Sequence, residues 1–241
     1  METIGQKTLE TWAANHENYL HWKRVAGAAL IEASNETFNE LKFGQWSLTG
    51  SSFRWCTFKN CDFTLTHLAR SRFFDCQFIA CVFDRCKLEG AQFPGNGRFS
   101  NTTFADCDMD DINFSGTSFA ACNFHRGSCV RSDFTEARLE PVIFSKTYLG
   151  QACFNRAVLH RVIFEGIYAS CANFSGAVLL SCDLSGIKNT DIGLNFDWTT
   201  FRGNRFSDDF YGALVTAVRE AKGSDRLLPL SNAYKKKMRL E

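Results

Sequence analysis

Phenylalanine recurs at every fifth residue over most of this chain, and this period constrains the fold more than any other feature. The series starts at Phe38, shifts by one residue in the segment 94–98, and continues to Leu184. An α-helix repeats about every 3.6 residues and a flat strand about every two, so neither produces a period of five. The pattern therefore predicts a repeat architecture. The phenylalanines outside the series are Phe74, Phe196, Phe201, Phe206 and Phe210.

A small side chain stands two residues before most of the repeat centres. Residues two apart on an extended segment point the same way, so the small residue and the centre face inward together. Where the small residue is cysteine, we predict a buried inert thiol; a disulfide or a metal site is the less favoured alternative, because no pair has C-x-x-C spacing. These positions are Cys56, Cys61, Cys76, Cys81, Cys86, Cys107, Cys122 and Cys182.

These units resemble the pentapeptide-repeat family, whose consensus is a small residue, then Asp, Asn, Ser or Thr, then Leu or Phe, then two variable residues. Good matches are CDFTL at 61–65, SDFTE at 132–136, ANFSG at 172–176 and CDLSG at 182–186. The resemblance covers residues 38–206. It implies an all-β solenoid, a right-handed quadrilateral parallel β-helix with four units in each coil.

Four units per coil predict a second period of 20 residues, and the repeat centres show it. Sorted by this period, two files are rich in Phe, one contains no Phe, and one changes from Phe to Leu. Such segregation is expected where rings and smaller groups must together fill a constant cross-section. The Phe files begin with Phe43 and Phe63 and with Phe53 and Phe73, the file without Phe with Leu48 and Leu68, and the mixed file runs from Phe38 to Leu179.

Helical caps are predicted at both ends of the solenoid, because a terminal coil would otherwise expose its core. Residues 6–33 have an approximate amphipathic stripe, so 1–37 are assigned to an N-terminal helical cap. Residues 38–206 form the β-helix, with a shifted register after 186–193. Ser207 is a suitable N-cap, so 207–241 are assigned to a C-terminal helix and a basic tail.

Charge and composition restrict the class of protein. The chain has 27 Lys and Arg against 26 Asp and Glu, a net charge of +1. This balance argues against a nucleic-acid partner. We find neither a secretory signal nor an apolar segment long enough to span a membrane, so a cytoplasmic location is expected.

The polar residues do not form a motif for catalysis or for cofactor binding. The five histidines lie apart, and no nucleophile has motif spacing from any of them. The acidic segment 106–111 lacks the Gly and Glu positions of a calcium loop, so we predict a solvated acidic corner. The sequence therefore predicts a protein that is not an enzyme and has no cofactor and no metal.

Outward apolar side chains are the candidates for a binding site, because an exposed apolar patch needs a cover or a partner. Trp55 and Phe74 are predicted on one face, a coil apart, with Arg54 and Arg72 beside them. Either the N-terminal helix covers this group or it binds a partner.

A second apolar group is predicted near the C-terminal end of the mixed file. Val158, Val178 and Leu180 form a compact stripe there, and Tyr148 and Tyr168 are placed on the next face. The stripe would serve a protein partner or dimerisation, or would be surface without a function.

These observations favour a non-catalytic scaffold that binds another protein. A homodimer through an end cap or through the C-terminal stripe is a further expectation. The family resemblance implies two finer roles: a bacterial secretion-associated or effector-type binding protein, or a protein that protects gyrase by mimicking DNA. The near-zero net charge and the basic segment 235–239 depart from the acidic surface that a DNA mimic needs.

Overall fold

The computed structural model describes residues 2–21, 31–188, 193–207 and 210, without the side chains of 2, 3 and 15–21. They form a parallel β-solenoid of about eight coils, which confirms the predicted fold class. One helix, α1 (Gln6–His21), precedes the coils.

Ten strands stack into one long parallel sheet, whose outward side we call the long face. The order is β1-β3-β5-β7-β9-β11-β13-β15-β18-β20. The strands are β1 (Glu2–Ile4), β3 (Glu36–Asn39), β5 (Thr57–Lys59), β7 (Gln77–Ile79), β9 (Arg98–Ser100), β11 (Ser118–Ala120), β13 (Arg138–Leu139), β15 (Val158–His160), β18 (Val178–Leu180) and β20 (Thr200–Arg202).

Shorter sheets and isolated bridges make the other three faces. One has five strands, one has three and one has two. They are β8 (Val82–Asp84), β10 (Thr103–Ala105), β12 (Cys122–His125), β14 (Val142–Ser145) and β16 (Ile163–Glu165); β2 (Glu32–Ser34), β4 (Ser52–Arg54) and β6 (Arg72–Phe74); and β17 (Ile167–Tyr168) with β19 (Ile187–Lys188).

Stacked aromatic rings fill the interior, as the 20-residue period predicts. Phe63 lies 4.5 Å from Phe83 between ring centroids, with the ring planes 1° apart. Phe43 lies on the other side of Phe63 at 4.2 Å. The file without Phe is also fully buried, from Leu48 to Ala169. Because successive coils are separated by a constant strand spacing, equivalent positions lie in register, and side chains of the same type stack on each other.

A left-handed residue at nearly every corner turns the chain from one face to the next. It stands two residues after the repeat centre, as at Trp55 (φ 53°) and Asn60 (φ 52°). This conformation costs a non-glycine residue about 1–2 kcal/mol. The backbone amide of the corner residue forms a hydrogen bond to the next coil, as Trp55 N does by donating to Phe74 O at 2.8 Å.

Where Asp or Asn precedes a centre, its side chain can stabilise the same corner. Asp62 Oδ1 accepts a hydrogen bond from Thr64 N, and Asp133 Oδ1 accepts one from Thr135 N, both at 2.8 Å. A short side-chain acceptor that satisfies an amide two residues later is an Asx-turn. This contact explains why the second position of the consensus is polar and short.

Two insertions shift the register without breaking the stack. Phe78 pairs with Phe99 across the segment 94–98, so this coil has one additional residue. Asn96 N donates to Asp75 Oδ1 at 2.8 Å, which attaches the inserted loop to the previous coil. The second insertion is the segment 186–193. Across it, Leu179 pairs with Phe201, and the Phe174 ring stacks on that of Phe196 at 5.1 Å.

The N-terminal segment differs from the prediction of a helix over 6–33. Helix α1 ends at His21, and β2 and β3 place solenoid strands before the predicted boundary at 38. Strand β1 adds to the long sheet, with Ile4 opposite Phe38. A three-residue strand has no detectable period, so the sequence did not indicate β1. The predicted continuation of the helix over 22–30 lies outside the described residues.

The predicted C-terminal helix is described only at its start. Phe210 is helical and buried, and its amide donates to Ser207 Oγ at 3.2 Å. This is the contact expected of an N-cap residue. The remainder of the predicted helix and the basic tail lie outside the described residues.

Candidate protein-binding surfaces

The first candidate surface is the tryptophan cluster, formed by Arg54, Trp55, Arg72 and Phe74. Strands β4 and β6 pair Arg54 with Phe74, and the guanidinium carbon lies 4.6 Å from the ring centroid. Trp55 occupies a left-handed corner and keeps 52% of its surface exposed. Arg72 is exposed on the strand of Phe74. The structure brings the four residues together where the sequence analysis placed them.

Helix α1 packs on the end of the solenoid, where Leu9 and Ala13 are buried. The Trp12 ring lies 6.4 Å from that of Phe38 in an edge contact. The Gln6 amide pairs with the backbone of Lys42, accepting from its N at 2.9 Å and donating to its O at 2.8 Å. These contacts cover the first coil, and Trp55 remains exposed.

The second candidate surface is the valine stripe, formed by Val158, Val178 and Leu180. It lies on the long face, where β15 and β18 pair Val158 with Val178 and His160 with Leu180. All three apolar side chains are half-buried. His160 Nδ1 lies 2.7 Å from Glu140 Oε1 and borders the stripe on its N-terminal side. The stripe is therefore apolar with a polar margin.

Tyr148 and Tyr168 do not adjoin the valine stripe, and their placement on the next face was wrong. They flank the centres Leu149 and Ala169, whose file is two faces away from the long sheet. The two rings stack at 5.4 Å, and Lys188 Nζ lies 5.4 Å from the Tyr168 centroid. A single flat partner surface cannot contact both the tyrosine pair and the valine stripe, because they lie on opposite sides of the solenoid.

The sequence analysis missed a shallow groove on the long face, with a volume of about 430 Å³. Its floor is formed by the small side chains Ser100, Ser118 and Ala120 in consecutive coils. Longer side chains at Gln77, Ile79, Arg98, Arg138 and Glu140 surround it. The sequence contained a signal for this groove, because small outward residues stand between long ones when outward positions about 20 residues apart are compared.

Ion pairs between coils neutralise part of the acidic segment 106–111. Arg126 donates to Asp106 at 2.8 and 2.7 Å, and Arg131 donates to Asp111 at 2.7 and 2.6 Å. These hydrogen bonds lower the pKa of both carboxyl groups, because they favour the charged form. In the described part of the chain, no group of three side chains is arranged to hold a metal ion.

The cysteines are free thiols, and all of those in the small position are buried. Burial raises the pKa of Cys122 and of Cys182 to about 11. Cys61 Sγ donates to Phe38 O of the previous coil at 3.2 Å. This contact supports the interpretation of the position as a small interior one. Cys171 is exposed.

Other exposed apolar residues were not proposed as sites. Trp198 is 67% exposed and occupies the same corner file as Trp55, near the other end of the solenoid. Val82, Ile143 and Ile163 point outward from the five-stranded sheet. None of the helices in the described ranges could cross a membrane.

Comparisons with known proteins identify the repeat. Residues 76–154 match the family model of a pentapeptide repeat region. The chain carries a pentapeptide repeat. The resemblance drawn from the five-residue units is therefore confirmed, and the register of the coils extends the repeat over both sides of the matched segment.

Several solved pentapeptide-repeat structures are similar to this chain. HetL, involved in heterocyst differentiation regulation in the cyanobacterium Nostoc sp. strain PCC 7120, is 15% identical, with 88% of this chain and 97% of HetL covered at a TM-score of 0.46. Full-length QnrB1, a plasmid-mediated fluoroquinolone resistance protein, is 20% identical, with 87% and 98% covered at a TM-score of 0.34. Among curated proteins there is no match.

Proposed function

We propose that this pentapeptide-repeat protein is a non-catalytic scaffold that binds another protein through its long face. The observation that carries the proposal is the valine stripe, where Val178 stacks on Val158 and Leu180 lies beside them. Ten strands hold these side chains in a sheet whose inner side is a packed core. A rigid surface loses little conformational entropy on binding, so modest apolar contacts contribute more of their free energy to affinity.

The dimensions of the long face limit the affinity. Ten strands at a spacing of about 4.8 Å, each about three residues wide, make a surface roughly 43 Å long and 10 Å wide. This area is about half of the ~800 Å² per partner that a stable interface buries. We therefore expect a micromolar, reversible complex unless the partner also contacts a corner of the solenoid.

The test is capture of partners from the native source with the wild type and two double variants. Val158→Asp/Val178→Asp places charge on the stripe. Ile143→Asp/Ile163→Asp makes the same change at residues stacked one coil apart on the five-stranded sheet. We expect a partner that is lost with the first variant, kept with the second, and rebound by the purified wild type. Retention of every partner by both variants contradicts the proposal.

Gyrase protection is the second candidate from the sequence, and the surface charges give it less support. A DNA mimic needs a continuous acidic face, whereas here Arg126 and Arg131 neutralise Asp106 and Asp111. A supercoiling assay with and without an inhibitor tests this role, and the absence of both protection and inhibition excludes it. A finer role in secretion, a homodimer and a cytoplasmic location stay predictions of the sequence.

A further inference from the structure

Two arginines line the groove on the long face. Arg98 and Arg138 are exposed, and neither forms an ion pair or a side-chain hydrogen bond within the described ranges. They occupy equivalent positions in strands β9 and β13, with Ser118 of β11 between them. Two strand steps separate their Cα atoms by about 9.6 Å.

The groove has an excess of positive charge. Its lining contains two arginines, Arg98 and Arg138, and one carboxylate, Glu140, so its formal charge is +1. Glu140 Oε1 lies 2.7 Å from the His160 ring of the next coil. A net positive charge favours an anionic ligand.

The floor of the groove admits a chain in extended conformation. Ser100, Ser118 and Ala120 are short, so the surface is lower there than at Ile79 on one side and Arg138 on the other. The Ser118 hydroxyl lies between the two arginines and is not hydrogen-bonded to any described residue. It can donate to a carboxylate that contacts one of the two guanidinium groups.

We propose that the groove binds an acidic, extended segment of a partner protein, with carboxylates at alternate residues contacting Arg98 and Arg138. Alternate residues of an extended chain lie about 6.7 Å apart and point the same way. This spacing fits two flexible arginines whose Cα atoms are about 9.6 Å apart, since each guanidinium can lean inward. The segment continues toward the valine stripe on the same sheet, so this inference rests on the proposed function and specifies the chemistry of the partner.

The experiment selects random dodecapeptides displayed on phage against the immobilised full chain. We expect the wild type to enrich Asp and Glu at alternate positions. The variant Arg98→Glu/Arg138→Glu should reverse this selection toward Lys and Arg. The control Arg70→Glu/Lys87→Glu changes the net charge by the same amount on another face and should keep the preference of the wild type.

Binding of one selected acidic peptide is then measured by fluorescence polarisation. We expect Arg98→Ala/Arg138→Ala to weaken it about tenfold or more, and added salt to weaken it for the wild type. No acidic enrichment, or equal enrichment by the charge-reversed variant, overturns the inference. A labelled single-stranded oligonucleotide that binds the same arginines as tightly as the peptide overturns the choice of a protein segment.

The two proposals fail in different ways. If Val158→Asp/Val178→Asp abolishes partner capture while Arg98→Glu/Arg138→Glu leaves it unchanged, the scaffold function stands and the acidic segment is wrong. If neither variant changes capture, the long face is not the binding surface.

Discussion

The N-terminal and C-terminal coils have the same cross-section but fill it differently. Between Phe38 and Phe119 the mixed file contributes a ring to each coil, so rings from three faces meet, as Phe78 does with Phe73 and Phe83. From Leu139 to Leu179 this file is leucine, and it returns to phenylalanine at Phe201.

Rings from the two Phe files meet edge to face in the C-terminal coils, as Phe144 and Phe154 do at 6.2 Å and 88°. The outward side of the long sheet changes too, from polar residues such as Thr57 and Gln77 to Val158 and Val178. The spacing of the backbone sets the volume inside each coil, and different combinations of side chains can fill that volume. The residues on the outward side of the same strands change independently of this filling.

Removal of a ring from the three-ring coils should have the largest effect. Phe78 stacks on Phe58 at 4.8 Å and on Phe99 at 4.6 Å. We expect Phe78→Ala to lower the free energy of unfolding by about 3–5 kcal/mol, because it leaves a cavity among rings that cannot collapse. Chemical denaturation followed by circular dichroism measures the change. Gln77→Ala, on the outward side of the same strand, should stay within about 0.5 kcal/mol, and an equal loss for both would contradict this account.

A side chain at Gly186 should destabilise the C-terminal coils. A Cβ there would meet the carbonyl oxygen of Phe164 and lie 2.8 Å from Gly166 N, so backbone would have to move. We expect Gly186→Ala to cost about 1–3 kcal/mol. At Gly150 the nearest atom would be 3.8 Å away, and Gly150→Ala should cost much less. Hydrogen exchange at Ile187 locates the effect, and equal protection in both variants would argue against a close approach.

Exchange of the two core types tests whether each half has space for the other's side chain. Leu159 is fully buried between coils that already contain two rings, including Phe154. We expect Leu159→Phe to cost about 1–2 kcal/mol through overpacking. Phe119→Leu, at the boundary between the two halves, makes the reverse change and should leave a small cavity. Thermal unfolding of both variants gives the comparison, and a more stable Leu159→Phe variant would show that the leucine file is loosely packed.

The smallest effect is expected from the ion pairs that join coils near the middle of the solenoid. The pKa of Asp106 is lowered by Arg126, so its folded value lies below its unfolded value. The stabilisation is then present above the unfolded pKa and is lost as the pH falls through the folded pKa. Arg126→Ala should raise the pKa of Asp106 toward its ordinary value in a carboxyl NMR titration. The Asp111 titration should not change, since Arg131 still contacts it.

Several features of the fold could be predicted because they repeat. The stacking of Phe63 on Phe83 follows from the 20-residue period, and the register shift at 94–98 follows from the continuation of the files beyond it. Cys61 was recognised as an interior residue because its position holds a small side chain in most units. Strand β1 was not predicted, because three residues carry no period.

The surfaces were predicted less completely. Arg54 and Phe74 were placed together, since they differ by one coil and lie on the same side of their strands. Tyr148 and Tyr168 were placed on the wrong face relative to the valine stripe. The groove was missed because its shape depends on residues before and after the centre in four consecutive coils, which no single unit contains.

The sequence by itself determined which side chains point inward and how the coils stack, because a short repeat with a constant strand spacing leaves one way to bury its large residues. Only the tertiary structure decided where outward residues meet. Neighbours such as Arg98, Ser118 and Arg138 lie twenty residues apart, and the contact between them arises from the lateral spacing of strands. The length of each side chain beside its neighbours then determines whether the surface there is a ridge or a groove.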